Sequence, residues 1–215
     1  MNKGAEDILD RLVQDYKELD VCRDSVYRAA ECIIDTYNNR GKLLVCGNGG
    51  SAADSEHIVG ELMKGFIKKR ELPDDEKNRL KKRLGLERGG KIGESLEGAL
   101  PAISLVSQTS ISTAYSNDVA PEMVFAQQVY GYGAEGDTLL GISTSGNSEN
   151  VVLAAEVASF LNLRTVCLTG KDGGRLSGIC DVSIVVPSDS THRIQEYHLP
   201  VYHAICAMAE EEFFV

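Results

Sequence analysis

GDTLLGISTSGNSENV, residues 136–151, runs from a turn through a short apolar stretch into hydroxyl residues set around one glycine. The apolar part has strand length and ends on turn residues, which reads as a buried strand. The continuation, NSENVVLAAEVASFLNL (147–163), has helical length and spacing. A strand that turns directly into a helix is half of a βαβ unit. It aims the free N–H groups and the positive dipole end of the helix at the turn. Ser143, Thr144, Ser145 and Ser148 add hydroxyl donors there, and Gly146 admits close backbone approach. One capping residue is enough to end a helix; four hydroxyls predict an anion cradle, with an ordinary capped turn as the alternative.

The same arrangement stands earlier in the chain. KLLVCGNGGS (42–51) is a strand running into a glycine-rich turn, followed by a helix over about 51–66. The turn lacks the third glycine of G-x-G-x-x-G and the Lys-Ser/Thr of a P-loop, so no nucleotide cofactor is expected. PAISLVS (101–107), RTVCLTG (164–170) and DVSIVVP (181–187) read as three more strands. PEMVFAQQVYGYG (121–133) and RIQEYHLPVYHAICAMAEEEF (193–213) read as helices, and the first 40 residues as two further amphipathic ones. Strands alternating with helices predict a parallel sheet covered on both faces. Ligands of such sheets bind beyond the carboxyl ends of the strands, where both turns lie.

The chain has 215 residues, is 43% hydrophobic and 25% charged, and shows no internal linker or repeat, which predicts one domain over 1–215. Two parts stand apart: the helical segment 1–40, and a charged insertion over 67–96, read as a solvated excursion with an exposed helix near 74–84, or as a lid or arm. A net charge of −10 argues against nucleic-acid and anionic-lipid partners. A charged helical start, with no apolar run of about 20 residues, predicts a cytoplasmic protein without a membrane span. The six scattered cysteines predict free thiols in a reducing compartment.

GNGGSAADSEHIVGEL, SND with FAQQV, GDTLLGISTSGNSENV, LTGKDGG and RIQEYHLPVYH, in this order, resemble the phosphoheptose isomerases among the sugar-isomerase (SIS) domain proteins. The resemblance covers most of the chain after Leu43 except the insertion. It implies a three-layer α/β/α sandwich, flavodoxin-like, around a five-stranded parallel sheet. It also implies a homotetramer with active sites shared between subunits, the N-terminal helices lying at the interface. The implied reaction takes sedoheptulose 7-phosphate to D-glycero-D-manno-heptose 7-phosphate or an epimer. By motif match, Ser51, Ser143, Thr144, Ser145 and Ser148 hold the sugar phosphate, and Gly49 and Gly50 belong to the substrate-binding set. Asn48 and Asp118 face the sugar, Asn117 and Gln195 join them in the substrate-binding set, Glu61 is the general base, and His203 is its acid/base partner. Some members bind zinc through the positions of His57, Glu61, Gln195 and His203, which makes one zinc ion per subunit an expectation here. His192 departs from the family's pattern, which carries an aspartate there in some members.

The chemistry agrees with these residue types. Aldose–ketose isomerisation moves a carbon-bound proton through an enediolate and an oxygen-bound proton alongside it, tasks suited to a carboxylate and an imidazole. His57 and Glu61 are four residues apart on a predicted helix and share a face. Gln195 and His203 are separated by about 12 Å of helical rise, with Pro200 between them to bend the helix. A different class of function, a non-catalytic phosphosugar-binding protein or a regulatory partner of a replication initiator, uses the same fold. Retention of both Glu61 and His203 favours the enzyme.

Overall fold

The structure, a computed structural model, describes residues 1–214. Its centre is a five-stranded, all-parallel sheet of order β2-β1-β3-β4-β5. The strands are β1 (Leu43–Gly47), β2 (Ala102–Ser104), β3 (Thr138–Ser143), β4 (Arg164–Thr169) and β5 (Val182–Val185). All five fall in the apolar runs read from the sequence. Leu44 pairs with Leu139 and with Ile103, and Leu140 pairs with Val166, so the register is set strand by strand.

Alternation divides the strand side chains between two cores. Leu43, Val45, Leu140, Ile142, Val166, Leu168 and Ile184 face one side. There they meet α1 (Lys3–Asp15), α2 (Arg23–Asn38), α3 (Gly50–Met63) and α9 (Thr191–Phe213). Leu44, Cys46, Leu139 and Cys167 face the other side. There they meet α7 (Val124–Tyr132) and α8 (Glu149–Phe160). The result is the expected three-layer sandwich. Burial on both faces explains why these strands read as continuous apolar runs rather than as alternating ones.

The N-terminal helix uses its apolar side within the chain: Ala5, Leu9 and Leu12 are buried in the core shared with α9. A short 3₁₀ segment, Lys17–Cys22, joins it to α2. Pro200 does not end α9, which continues to Phe213; the missing proline N–H leaves one helical carbonyl without its usual donor. The six cysteines are free, five of them buried.

Within the insertion, α4 (Asp74–Leu84) lies where the sequence placed a helix. A second helix, α5 (Leu86–Ser95), was not expected, since LERGGKIGES holds three glycines. The two helices pack chiefly on each other, and Gly89, Gly90 and Gly93 are the buried positions of α5. Stem residues Glu71 and Glu97 pair as an antiparallel bridge. Also unanticipated is α6 (Thr109–Asp118), a helix rich in hydroxyls with none of its residues buried.

Candidate active site

The order β2-β1-β3-β4-β5 reverses direction between β1 and β3, and crevices open at such points outside the carboxyl ends of the strands. The GNGGS turn leaves β1 and the STSGNS turn leaves β3, so the two cradle segments flank that point. They are tied across it by a reciprocal amide pair: Asn48 donates to Asn150 Oδ1 at 2.8 Å, and Asn150 donates back to Asn48 Oδ1 at 2.9 Å. Asn150 was missed in the sequence; its only signal is its place in the first turn of α8.

In the second turn, the Ser143 and Ser148 hydroxyls hydrogen-bond at 2.9 Å. Ser145 Oγ accepts from Asn147 N–H at 3.2 Å, which leaves the Ser145 hydroxyl hydrogen free to donate. Thr144 is half-buried beside them. Gly146 has φ +64°, and a Cβ there would collide with the Gly173 carbonyl oxygen. The turn at Gly173 and the two residues after LTGKDGG thus form a buttress: Leu176 N–H donates to Gly146 O and Arg175 N–H to Asn147 Oδ1. Ser51, 2% exposed, stands in the first turn of α3 behind exposed Asn48, Gly49 and Gly50. Two helix N-termini and a set of hydroxyls therefore converge on one crevice, an arrangement suited to a phosphate.

Gln195 reaches the same end. A Cβ on Gly50 would overlap Gln195 Nε2, so the amide rests directly on that glycine. Seven residues further along α3, about 10 Å, lies the second cluster. His57 Nε2 meets Glu61 Oε1 at 3.0 Å, and His57 Nδ1 meets the Tyr202 hydroxyl at 2.9 Å. The His203 ring lies 5.0 Å from that of His57 and 5.4 Å from Phe66, edge-on and tilted respectively. Asp54 Oδ1 makes a longer contact of 3.4 Å with the Tyr202 hydroxyl. Tyr202, Asp54 and Phe66 were not identified from sequence; the first two sit one and three residues from His203 and His57.

Three atoms in this cluster are buried and have no hydrogen-bond partner among the described residues: Asp54 Oδ2, Glu61 Oε2 and His203 Nε2. Lys64 Nζ lies 3.6 Å from Glu61 Oε2, an ion-pair distance only. Burial, reinforced by His57 and opposed by Glu61, lowers the His203 pKa and favours its neutral form. Burial likewise raises the Asp54 carboxyl, against the Tyr202 hydroxyl and His57.

The candidate zinc donors are placed unevenly. His57, Glu61 and His203 are neighbours, whereas Gln195 lies at the phosphate end. No three His, Cys, Asp or Glu side chains among the described residues stand ready to hold an ion, since His57 Nε2 is turned onto Glu61. The donor types nonetheless suit zinc, and two of the three unpartnered buried atoms, on Glu61 and His203, are among them. Asn117 and Asp118 stay apart, exposed at the end of α6, where Asn117 donates to Asp118 Oδ1 at 2.8 Å. His192 is exposed beside Ser190 at 3.0 Å. His198 is wholly buried and bonds Thr169 O at 3.2 Å, a structural position.

The end of α3 is held by a buried ion pair. Arg70 is 1% exposed and donates to Glu210 Oε1 at 2.7 Å. Burial would raise the Glu210 carboxyl, but backbone N–H groups of Phe66, Ile67 and Lys68, together with Arg70, hold it below the usual range.

The SIS domain family model matches residues 9–81 and 87–170. The phosphoheptose isomerase of a Nitratiruptor species is 42% identical over 191 residues, covering 89% of this chain and 88% of that protein. Among solved structures, the phosphoheptose isomerase of Neisseria gonorrhoeae superimposes with a TM-score of 0.73 at 33% identity, over 94% of this chain and 93% of that one. That of Francisella tularensis gives a TM-score of 0.75 at 30% identity, with 94% of each chain covered. The fold, the paired turns and the similarity along nearly the whole chain agree: the chain belongs to the phosphoheptose isomerase family of SIS-domain proteins.

Proposed function

We propose that the chain is a phosphosugar isomerase that converts sedoheptulose 7-phosphate into D-glycero-D-manno-heptose 7-phosphate or its epimer. One observation carries the reading beyond family membership. Carboxylate oxygens of Asp54 and Glu61, one turn or more along α3 from the N-terminus that faces the hydroxyl-rich turn, and a ring nitrogen of His203 are buried without hydrogen-bond partners. Buried polar atoms left without partners are uncommon, and three of them clustered on neighbouring titratable side chains support a site that a ligand completes.

In this mechanism Ser51, Ser143, Thr144, Ser145 and Ser148, with the N–H groups of the α3 and α8 N-termini, hold the phosphate. Gln195 and Asn48 orient the chain of hydroxyls. Glu61 removes the proton from C1 of the ketose, leaving an enediolate across C1 and C2, and returns it to C2. His203, neutral at pH 7, takes the O1 proton and gives it to O2, so the imidazole ends as it began. His57 holds Glu61 in place through Nε2, and Tyr202 holds His57.

A zinc ion would be held by His57, Glu61 and His203, with Gln195 joining only by leaving Gly50, and would polarise the sugar carbonyl. Metal analysis of the purified protein, with thermal shift before and after chelation, tests this. Stoichiometric zinc and a lowered Tm on chelation are expected; neither appearing removes zinc from the proposal.

We also propose a homotetramer with shared sites. Asn117 and Asp118 bond each other and none of the other site residues, and exposed Val119 and Ile67 (65% and 70%) offer apolar surface for subunit contact. The deciding experiment is turnover of sedoheptulose 7-phosphate by the purified chain. Glu61→Gln is expected to lower kcat by about 10²–10⁴, the usual share of a general base, with KM little changed. Absence of turnover on five- to seven-carbon ketose phosphates would remove the isomerase reading and leave a phosphosugar-binding protein.

A further inference from the structure

We infer that Arg70 is a positioning residue for Glu61, acting with Glu210 as a clamp between the end of α3 and α9; this rests on the isomerase reading. Arg70 lies in the run KKRELPDDE, which reads as a solvated segment, yet its side chain is fully enclosed. Its Nε bonds Glu210, and its two terminal nitrogens fork onto backbone carbonyls: Leu62 O at 2.6 Å and Glu61 O at 2.9 Å.

α3 ends at Met63, so both carbonyls belong to its last turn, where no intrahelical donor is available. One of them is the carbonyl of the base itself. A planar guanidinium presents five N–H groups in a fixed fork and can serve two adjacent carbonyls and a carboxylate together; an ammonium cannot reproduce that geometry. Glu210 completes the clamp. It accepts N–H bonds from Phe66 and Ile67 at 2.8 Å and from Lys68 at 3.0 Å, fixing the chain as it leaves α3. The Phe214 ring covers the guanidinium at 4.7 Å.

Glu210 stands two turns beyond His203 on α9. The backbone of the base is therefore registered, through one ion pair, to the helix that carries its acid/base partner. Buried ion pairs contribute little net stability compared with apolar packing; this one contributes geometry. Glu61 must lie within a fraction of an ångström of the carbon-bound proton, and small misplacements cost large factors in rate.

The test compares wild type with Arg70→Lys and Glu210→Gln, which keep polar groups at the buried positions. Arg70→Lys is expected to lower kcat at least tenfold while KM stays within twofold, because the phosphate cradle is untouched. Hydrogen exchange should quicken at amides 60–64 and remain unchanged at 51–55. Glu210→Gln should show the same pattern with a smaller loss, and serves as the measurement if the lysine variant does not fold. Wild-type kcat in either folded variant overturns the inference. So does a loss shared by KM with exchange quickened along all of α3, the mark of general loosening. If wild type shows no turnover, the isomerase reading fails, and the exchange pattern alone still decides whether Arg70 fixes the end of α3.

Discussion

His198 shows how a buried imidazole couples stability to pH without belonging to the site. Burial lowers its pKa from 6.5 to about 4, against the bond to Thr169 O that favours the charged form. The unfolded chain therefore binds a proton between pH 6.5 and 4 that the folded chain refuses. Stability from this group is fully present above about pH 6.5, is lost as pH falls toward 4, and amounts to up to about 3 kcal/mol. His198→Gln, which retains an N–H for Thr169 O, is expected to flatten the fall across that window. Urea unfolding at pH 7 and pH 4.5 checks it. An unchanged difference between the two pH values would place the acid sensitivity elsewhere.

Two glycines separate fold from function at the level of the elements. At Gly146, a side chain would need a left-handed backbone and would collide with the backbone of the neighbouring turn. Gly146→Ala is expected to cost several kcal/mol, as strain at a special backbone position does, and to raise KM strongly as the cradle distorts. Gly50→Ala meets only the flexible end of Gln195. It should change stability by less than about 1 kcal/mol, yet raise KM, since the amide must swing from the phosphate end. Equal losses of stability in the two variants would contradict this assignment. The strands and both cradle turns were legible because apolar runs and glycine or hydroxyl clusters are local signals. α5 and α6 were not: the glycines of α5 mark close packing on α4, and the hydroxyls of α6 coat an exposed helix. Arg70 was invisible for a related reason. Its sequence neighbours are solvated charges, and its partner Glu210 lies in a run of three glutamates 140 residues away.

For the whole molecule, family resemblance singled out Glu61 and His203 as the proposed acid/base pair, while the network around them depends on tertiary placement. Asn150 meets Asn48 across the sheet, and Tyr202 reaches His57 from another helix. No residue-by-residue pattern encodes such contacts. The α4–α5 arm closes on its own stem, where Glu71 pairs with Glu97, and no residue of α4 is buried. Replacing residues 72–96 with a short Gly-Ser turn should therefore leave the unfolding free energy within about 1 kcal/mol. Calorimetry checks it, and a large loss would make the arm part of the fold. Sedimentation of the same variant beside wild type reads the oligomeric state; a stable wild-type monomer would contradict the shared-site proposal.

The strand order has a further consequence, for how the chain finds its structure. β3 and β4 are joined by one helix, but β1 must meet β3 across roughly a hundred residues, and such distant pairings form slowly. The STSGNS turn thus belongs to a locally connected half, whereas GNGGS takes its place only when the distant strand docks. Closure entropy grows as the logarithm of loop length, so carrying the arm inside that long connection adds only about 0.3 kcal/mol. The two turns thus meet at the pairing with the largest sequence separation in the sheet.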